Sequence, residues 1–277
     1  MTGGRTLDAQ ALAWLRERLL LGADMTRTVA RLRELGFSDD GIISGFEAVR
    51  PRGNALADGA MQSLPLIRRA PPSLRRLENP HVDLFTLDDF LNARECARLT
   101  ALVAHHLKPS SIAAVDDRER QLRSSTTAYL GHLRSPVATA IDAKICRTLG
   151  IRAAYSEGIQ AQRYDVGQEF KPHWDAFEPG SDALRRFGGV RGNRTWTFMV
   201  YLNEDMEGGA TRFTELDIVV RPKTGMALLW NNLNTDGTPN LATKHCGEVL
   251  TRGHKVIITK WFRVHGDGPV FDEASGR

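Results

Sequence analysis

His245-Cys246-Gly247-Glu248-Val249-Leu250-Thr251-Arg252-Gly253-His254-Lys255-Val256-Ile257-Ile258-Thr259-Lys260-Trp261-Phe262-Arg263 holds the longest strand-like run of the chain. Over 254–262, period-two alternation puts Lys255, Ile257, Thr259 and Trp261 on one face and Val256, Ile258 and Phe262 on the other. Both faces are largely apolar, so this strand is expected to be covered on both sides. Lys255 then points a charge into the interior. An unpaired buried ammonium is costly, so it needs an anion. Two sources fit: a carboxylate of the protein, or a dicarboxylate ligand.

Upstream, Phe170-Lys171-Pro172-His173-Trp174-Asp175 has the same period. His173 and Asp175 share a face, so an imidazole and a carboxylate can meet one cation. Phe170, Pro172 and Trp174 are expected to point the other way and pack. Alone, the triplet is weak, since His-x-Asp recurs by chance and is usually a surface pair. His245 supplies a possible third ligand. His254 reads as a packing or surface residue, and His105 and His106 as non-catalytic helix residues.

Working outward, strands are expected at 159–164, 169–175, 195–202, 218–221, 226–230 and 254–262, separated by Gly, Asn and Pro. Before them, Asn92 and Glu95 form a capping box ahead of a helix. Ser135-Pro136 starts another helix and Gly150 stops it, with Ile141, Ile145 and Leu149 on one face. Helices followed by many strands indicate an α+β fold, with helices packed on a sheet sandwich or barrel. Residues 1–50 read as three short helices, the first capped by Thr6. Part of this region (33–49) is similar to ubiquitin-associated-type three-helix domains. Pro51, Pro65, Pro71 and Pro72 with Gly53 and Gly59 place a linker at 51–77. The main domain is then 78–277.

Composition excludes several classes. The chain has 277 residues, 42% of them hydrophobic, and a formal net charge of +4. No apolar run reaches the roughly 18 residues of a membrane span, and no signal-peptide core follows the N-terminus, so a cytoplasmic location is expected. The arginines between Arg50 and Arg76 read most simply as solvated linker charges. Without interleaved aromatics they do not indicate nucleic-acid binding. Three cysteines without a CxxC pair argue against disulfides and a cysteine zinc site.

Taken together, these residues resemble the prolyl 4-hydroxylase branch of the 2-oxoglutarate/Fe(II) dioxygenases. The family signature is His-x-Asp, a distant His, a Lys ten residues later and a Trp six beyond. The matching residues are His173, Asp175, His245, Lys255 and Trp261. Glu157 to Tyr164, Tyr201-Leu202-Asn203, Glu207 to Thr211 and Pro222 to Trp230 extend the likeness over roughly 80–277. The resemblance implies a double-stranded β-helix (jelly roll) with flanking helices. It implies His173, Asp175 and His245 as Fe(II) ligands, with Tyr164, Thr211 and Lys255 holding 2-oxoglutarate. Arg194 and Trp261 are implied beside the substrate. The implied reaction consumes O2, with ascorbate as a candidate reductant, and hydroxylates an unactivated C–H bond. With Asp175 present, hydroxylation is favoured over halogenation.

The favoured substrate is a prolyl or related residue of a peptide or protein. A free amino acid or small natural product is the alternative. A zinc hydrolase, or a silent metal-binding module, is the reading from another class; it leaves Lys255, Tyr164 and Thr211 unexplained. Two uses are open to the N-terminal helices, gripping a substrate or forming a dimer contact. Cys246, Met226 and the segments 110–127 and 176–194 depart from the family pattern. The two segments are expected to cover the substrate.

Overall fold

The computed structural model describes residues 5–20, 23–56, 64–110 and 124–272. Most of the 110–127 segment therefore lies outside the described residues. The long strand is Leu250–Arg263, and it runs antiparallel to Gln160–Asp165 on one side and Arg194–Tyr201 on the other. Beyond Arg194–Tyr201 come Ala227–Asn231, Leu84–Leu87 and Leu74–Arg76; beyond Gln160–Asp165 come Thr126–Tyr129 and Lys108–Pro109. A second, smaller antiparallel sheet has the order Ile218–Val220, Thr211–Phe213, His245–Gly247, Phe170–His173.

The two faces of the long strand meet different layers. Val256, Ile258 and Phe262 join a core with Ala161, Trp196, Phe198 and Val200 and with helix residues Cys96, Leu99, Ile141, Ile145 and Leu149. Ile257 turns the other way, into a core with Tyr164, Met199, Tyr201 and Trp230 and with Phe213 and Val220 of the small sheet. The strand is thus covered twice, by helices behind and by a second sheet in front, as its two apolar faces require. The fold is mixed, with an antiparallel two-sheet core and helices on one face, consistent with a jelly roll. Met226, where the family pattern carries an acid, is buried in the inter-sheet core.

Local signals set the helices on the back face. Asn92 accepts from the Glu95 N–H and Glu95 from the Asn92 N–H, a complete capping box at the start of Ala93–Ala104. The helix Pro136–Leu149 has Ser135 as its cap and ends on Gly150 at φ 77°. Lys144 ties the two helices together through Glu95, 2.9 Å away.

Several expectations shift. Strands Leu84–Leu87, Thr126–Tyr129, Thr211–Phe213 and His245–Gly247 went unread. They are three or four residues long, too short for alternation to show. Within 51–77, Leu74–Arg76 forms the edge of the large sheet, and Leu64 and Leu66 are buried around a helical turn at Pro65–Arg68. Helix α1, Ala9–Leu20, begins after Asp8 rather than Thr6, the Asp8 carboxylate accepting from the Ala11 N–H. Helices α2 (Met25–Glu34) and α3 (Asp39–Val49) pack with it around Leu15, Leu19, Leu32, Phe37 and Ile42. No helix among the described residues is long and apolar enough to cross a membrane.

This layering sets unequal costs for similar substitutions. Ile258→Ala, fully buried in the long strand, should destabilise by about 2–5 kcal/mol. Ile43→Ala, at a side chain 62% exposed, should stay within about 0.5 kcal/mol. Urea unfolding should show a lowered midpoint with unchanged slope for the first variant only.

Candidate active site

Small-sheet pairing creates a constellation that could hold a metal ion. His173 ends one strand, His245 begins its neighbour, and the two are register partners. Asp175 follows two residues on. The candidate ligand atoms of the three lie within 4.8 Å of one another, with His173 Nε2 3.8 Å from Asp175 Oδ1.

Each ligand is oriented by an outer bond. The Nδ1 of His173 lies 2.8 Å from the Lys171 carbonyl and that of His245 2.9 Å from the Thr243 carbonyl. With Nδ1–H donating there, each Nε2 lone pair is left for a cation. The Thr197 hydroxyl donates to Asp175 Oδ2 at 2.6 Å, and Asn232 donates in turn to Thr197. Oδ1 is left facing the histidines. Burial works against charge on Asp175, but His245, His173, Arg194 and the Thr197 bond hold its pKa below the ordinary value. Two imidazoles and one carboxylate on one side of an ion suit an octahedral centre with open positions.

Phe170 departs from simple alternation. It stacks on the His173 ring at 3.5 Å and lines the cleft. A register irregularity between His245 and Gly247 puts Phe170 opposite Gly247, which changes its face. Trp230 meets His245 edge-on at 4.8 Å. Trp174 turns outward, its Nε1–H on the Leu241 carbonyl and Lys244 over its ring. His105 and His106 are exposed at the end of their helix.

Lys255 opens into the same cleft and is 3% exposed. Its Nζ donates to the Gly209 carbonyl at 2.6 Å and lies 5.5 Å from the ring centres of both Tyr164 and Tyr201. Among the described residues no carboxylate forms an ion pair with it. Burial pushes its pKa down to about 8, against the opposing pull of Cys246 and Glu248. Of the two anion sources left open by the sequence, a protein carboxylate is not found among the described residues. The cradle depends on two glycines. Gly208 and Gly209 have φ of 76° and 69°, and a Cβ on Gly208 would come within 2.2 Å of the Val249 carbonyl oxygen. Tyr164 is the register partner of Lys255, and Thr211 accepts from the Tyr201 hydroxyl at 2.7 Å. Tyr164, Thr211, Lys255 and Trp261 thus share one cleft with the three metal-site residues. Cys246 also lines it, as a free thiol whose pKa burial raises.

Arg194 stands behind this wall. Its guanidinium lies 3.9 Å over the Trp261 ring, donates to the Asp175 carbonyl, and pairs with both oxygens of Glu157 at 2.7 and 3.0 Å. Arg263 binds Glu157 from the other side at 2.8 Å. Burial alone would raise the Glu157 pKa; the two guanidiniums overcome it and bring it to about 2. Sequence reasoning missed Glu157, Arg263 and Thr197 as site-shaping residues. Alternation through 194–201 could have placed Thr197 inward, whereas nothing local marks the Glu157–Arg263 pair, which are 106 residues apart.

Comparison with known proteins agrees with this geometry. The 2OG-Fe(II) oxygenase superfamily matches residues 159–263. The chain is 30% identical to the probable prolyl 4-hydroxylase 10 of Arabidopsis thaliana over 201 residues, 64% of this chain and 67% of that one. It is 34% identical to the prolyl 4-hydroxylase subunit alpha-1 of Rattus norvegicus over 147 residues, but that match spans only 27% of the relative. The viral collagen prolyl hydroxylase of Paramecium Bursaria Chlorella virus-1, solved with 2OG, shares the fold at a TM-score of 0.51. That alignment has 24% identity and covers 65% of this chain and 96% of that one. The chain belongs to the prolyl 4-hydroxylase branch of the 2OG-Fe(II) oxygenase superfamily.

Proposed function

We propose that the protein hydroxylates an unactivated C–H bond of a prolyl residue in a peptide or protein, using Fe(II), 2-oxoglutarate and O2. The observation that carries this reading is Lys255: a buried ammonium with no carboxylate partner among the described residues, opening into the cleft that holds His173, Asp175 and His245. A dicarboxylate has one end for a cation and one for an ammonium. A zinc hydrolase would leave Lys255 without a purpose.

When bound, Fe(II) with 2-oxoglutarate and O2 supplies the oxidising power, and 2-oxoglutarate leaves as succinate and CO2. The protein's own part is binding, orientation and exclusion of water. His173, Asp175 and His245 would hold the iron. Lys255, with Tyr164 and Thr211, would hold the distal carboxylate through charge-assisted bonds. Phe170 stacks on His173 and Trp230 meets His245 edge-on, contacts that would help keep water from the two imidazoles. Trp261, backed by Arg194, would form the wall met by the substrate. Ascorbate fits as the reductant that restores ferrous iron. Residues 78–277 would form the catalytic unit, after an N-terminal helical unit at 1–50 and a connecting stretch at 51–77.

Anaerobic Fe(II) plus 2-oxoglutarate should give a weak visible charge-transfer band that zinc does not give. Succinate release should rise with members of a prolyl-peptide panel; coupling to free amino acids alone would overturn the peptide reading. Lys255→Ala should weaken 2-oxoglutarate binding about 100-fold or more, since breaking a buried ion pair costs about 3–5 kcal/mol. Unchanged co-substrate affinity would sink the assignment. Thr197→Val should weaken Fe(II) binding about 10–100-fold by freeing Asp175 to rotate, as read by metal titration.

The pH dependence follows from the lowered Lys255 pKa of about 8. Below that value the ammonium is already charged and binds the carboxylate directly. Above it, binding must first take up a proton, so affinity for 2-oxoglutarate should fall by up to about tenfold per pH unit. Isothermal titration in buffers of differing ionisation heat should detect that proton uptake above, and not below, about pH 8.

A further inference from the structure

We propose that the N-terminal helices act as a positioning element for the active site: Asp24 and Met25 clamp the 181–192 segment, and that segment holds the ion cluster backing Trp261. The inference rests on reading the cleft as a hydroxylase site.

The clamp begins at the first turn of α2. Asp24 Oδ1 accepts from the N–H groups of Thr26 and Arg27, capping the helix, while Oδ2 accepts from the Arg186 guanidinium. The Asp24 side chain is 9% exposed, whereas both partners of Arg31–Glu34 and Arg33–Asp39 are more than half exposed. A shielded pair of this kind is screened little by salt. Apolar contacts flank it. The Met25 side chain lies against Gly189, where a Cβ would meet Met25 Cγ at 3.1 Å, and Val190 packs on the core of the helical unit.

The clamped segment has little structure of its own. It consists of one π-helical turn, Leu184–Gly188, and one 3-10 turn, Gly189–Arg191, with glycines at 188, 189 and 192. Fixing such residues costs backbone entropy. Contacts with its neighbours must offset that cost.

On its inner side the segment supplies acceptors to Arg263. That guanidinium donates to the carbonyls of Phe187 at 2.7 Å, Gly188 at 2.9 Å and Gly192 at 2.7 Å. Arg263 holds Glu157, Glu157 holds Arg194, and Arg194 covers Trp261 and reaches the Asp175 carbonyl. Moving 186–190 would strip acceptors from a guanidinium that is 1% exposed. A buried donor left unsatisfied is costly, so the cluster would rearrange, and Trp261 and Arg194 with it. Lys255 lies six residues back along the strand and touches no member of this chain of contacts. Disturbing the clamp should therefore alter the substrate side and spare the co-substrate side.

The test uses the full-length protein with Arg186→Glu, which repels Asp24 without removing the α2 cap, and Asp24→Asn, which keeps a capping side chain. Anaerobic 2-oxoglutarate titration with Fe(II) should stay within about twofold of the parent, which also reports an intact fold. With the prolyl peptide giving the highest coupled turnover, KM should rise about tenfold or more while kcat changes far less. Arg186→Lys should recover part of the loss, and the two variants combined should not add. Amide exchange should quicken across 184–194 and 261–263. Equal shifts in peptide and co-substrate affinity, or faster exchange confined to 23–34, would overturn the clamp. A parent protein giving no charge-transfer band would instead defeat the hydroxylase reading, and the exchange measurement would still decide the clamp.

Discussion

A single ammonium between two sheets constrains much of the rest. Lys255 is buried and has the Gly209 carbonyl as its hydrogen-bond acceptor. The fold tolerates it because the charge is shared with two aromatic rings and because its pKa drops toward neutrality. A methionine there would be cheaper for stability alone. Retaining the cation makes sense where an anion arrives from outside. Gly208 and Gly209 carry the backbone close enough to meet Nζ, and their positive φ values exclude most other residues.

The opposite end of the same strand face solves the charge problem in another way. Lys255 and Trp261 are six residues apart, about 20 Å along an extended chain. Near Trp261 the charges are permanently paired: Glu157 sits between Arg194 and Arg263, with further bonds to backbone carbonyls. At the Lys255 end the ammonium meets a backbone carbonyl but, among the described residues, no carboxylate. The other is fully satisfied and shapes a wall. The strand thus offers a soft electrostatic site and a rigid one on a single side, and the small sheet brings His173, Asp175 and His245 to that side.

Much of this was legible in the residues. Period two in 254–262 separated the Lys255 face from the Val256 face, and the two cores follow that division. Asn92 with Glu95, and Ser135-Pro136 with Gly150, marked two helices through backbone chemistry that is local by nature. What stayed hidden depends on distant partners. The face of Phe170 is set by a register irregularity against His245–Gly247, which no local pattern records. Leu84–Leu87 is buried at all four positions and shows no alternation. Arg194 was readable as a site residue, but its bond to Glu157 comes from strand register, Arg194 standing opposite Arg263.

The segment between Asp175 and Arg194 gives the cleft surroundings of its own. It begins just beyond the strand that ends at His173 and leads into Arg194–Tyr201 of the large sheet, so both its ends are anchored beside the cleft. Its middle leans on helices from outside the strand-rich region. Its carbonyls, rather than its side chains, bind Arg263. Carbonyl acceptors require a backbone path but almost no particular side chains, which suits a glycine-rich turn. On the reading proposed above, whatever braces that path acts at the Trp261 end of the cleft and leaves Lys255 as it is. That separation follows from the strand itself, which keeps the two functions at opposite ends of one face.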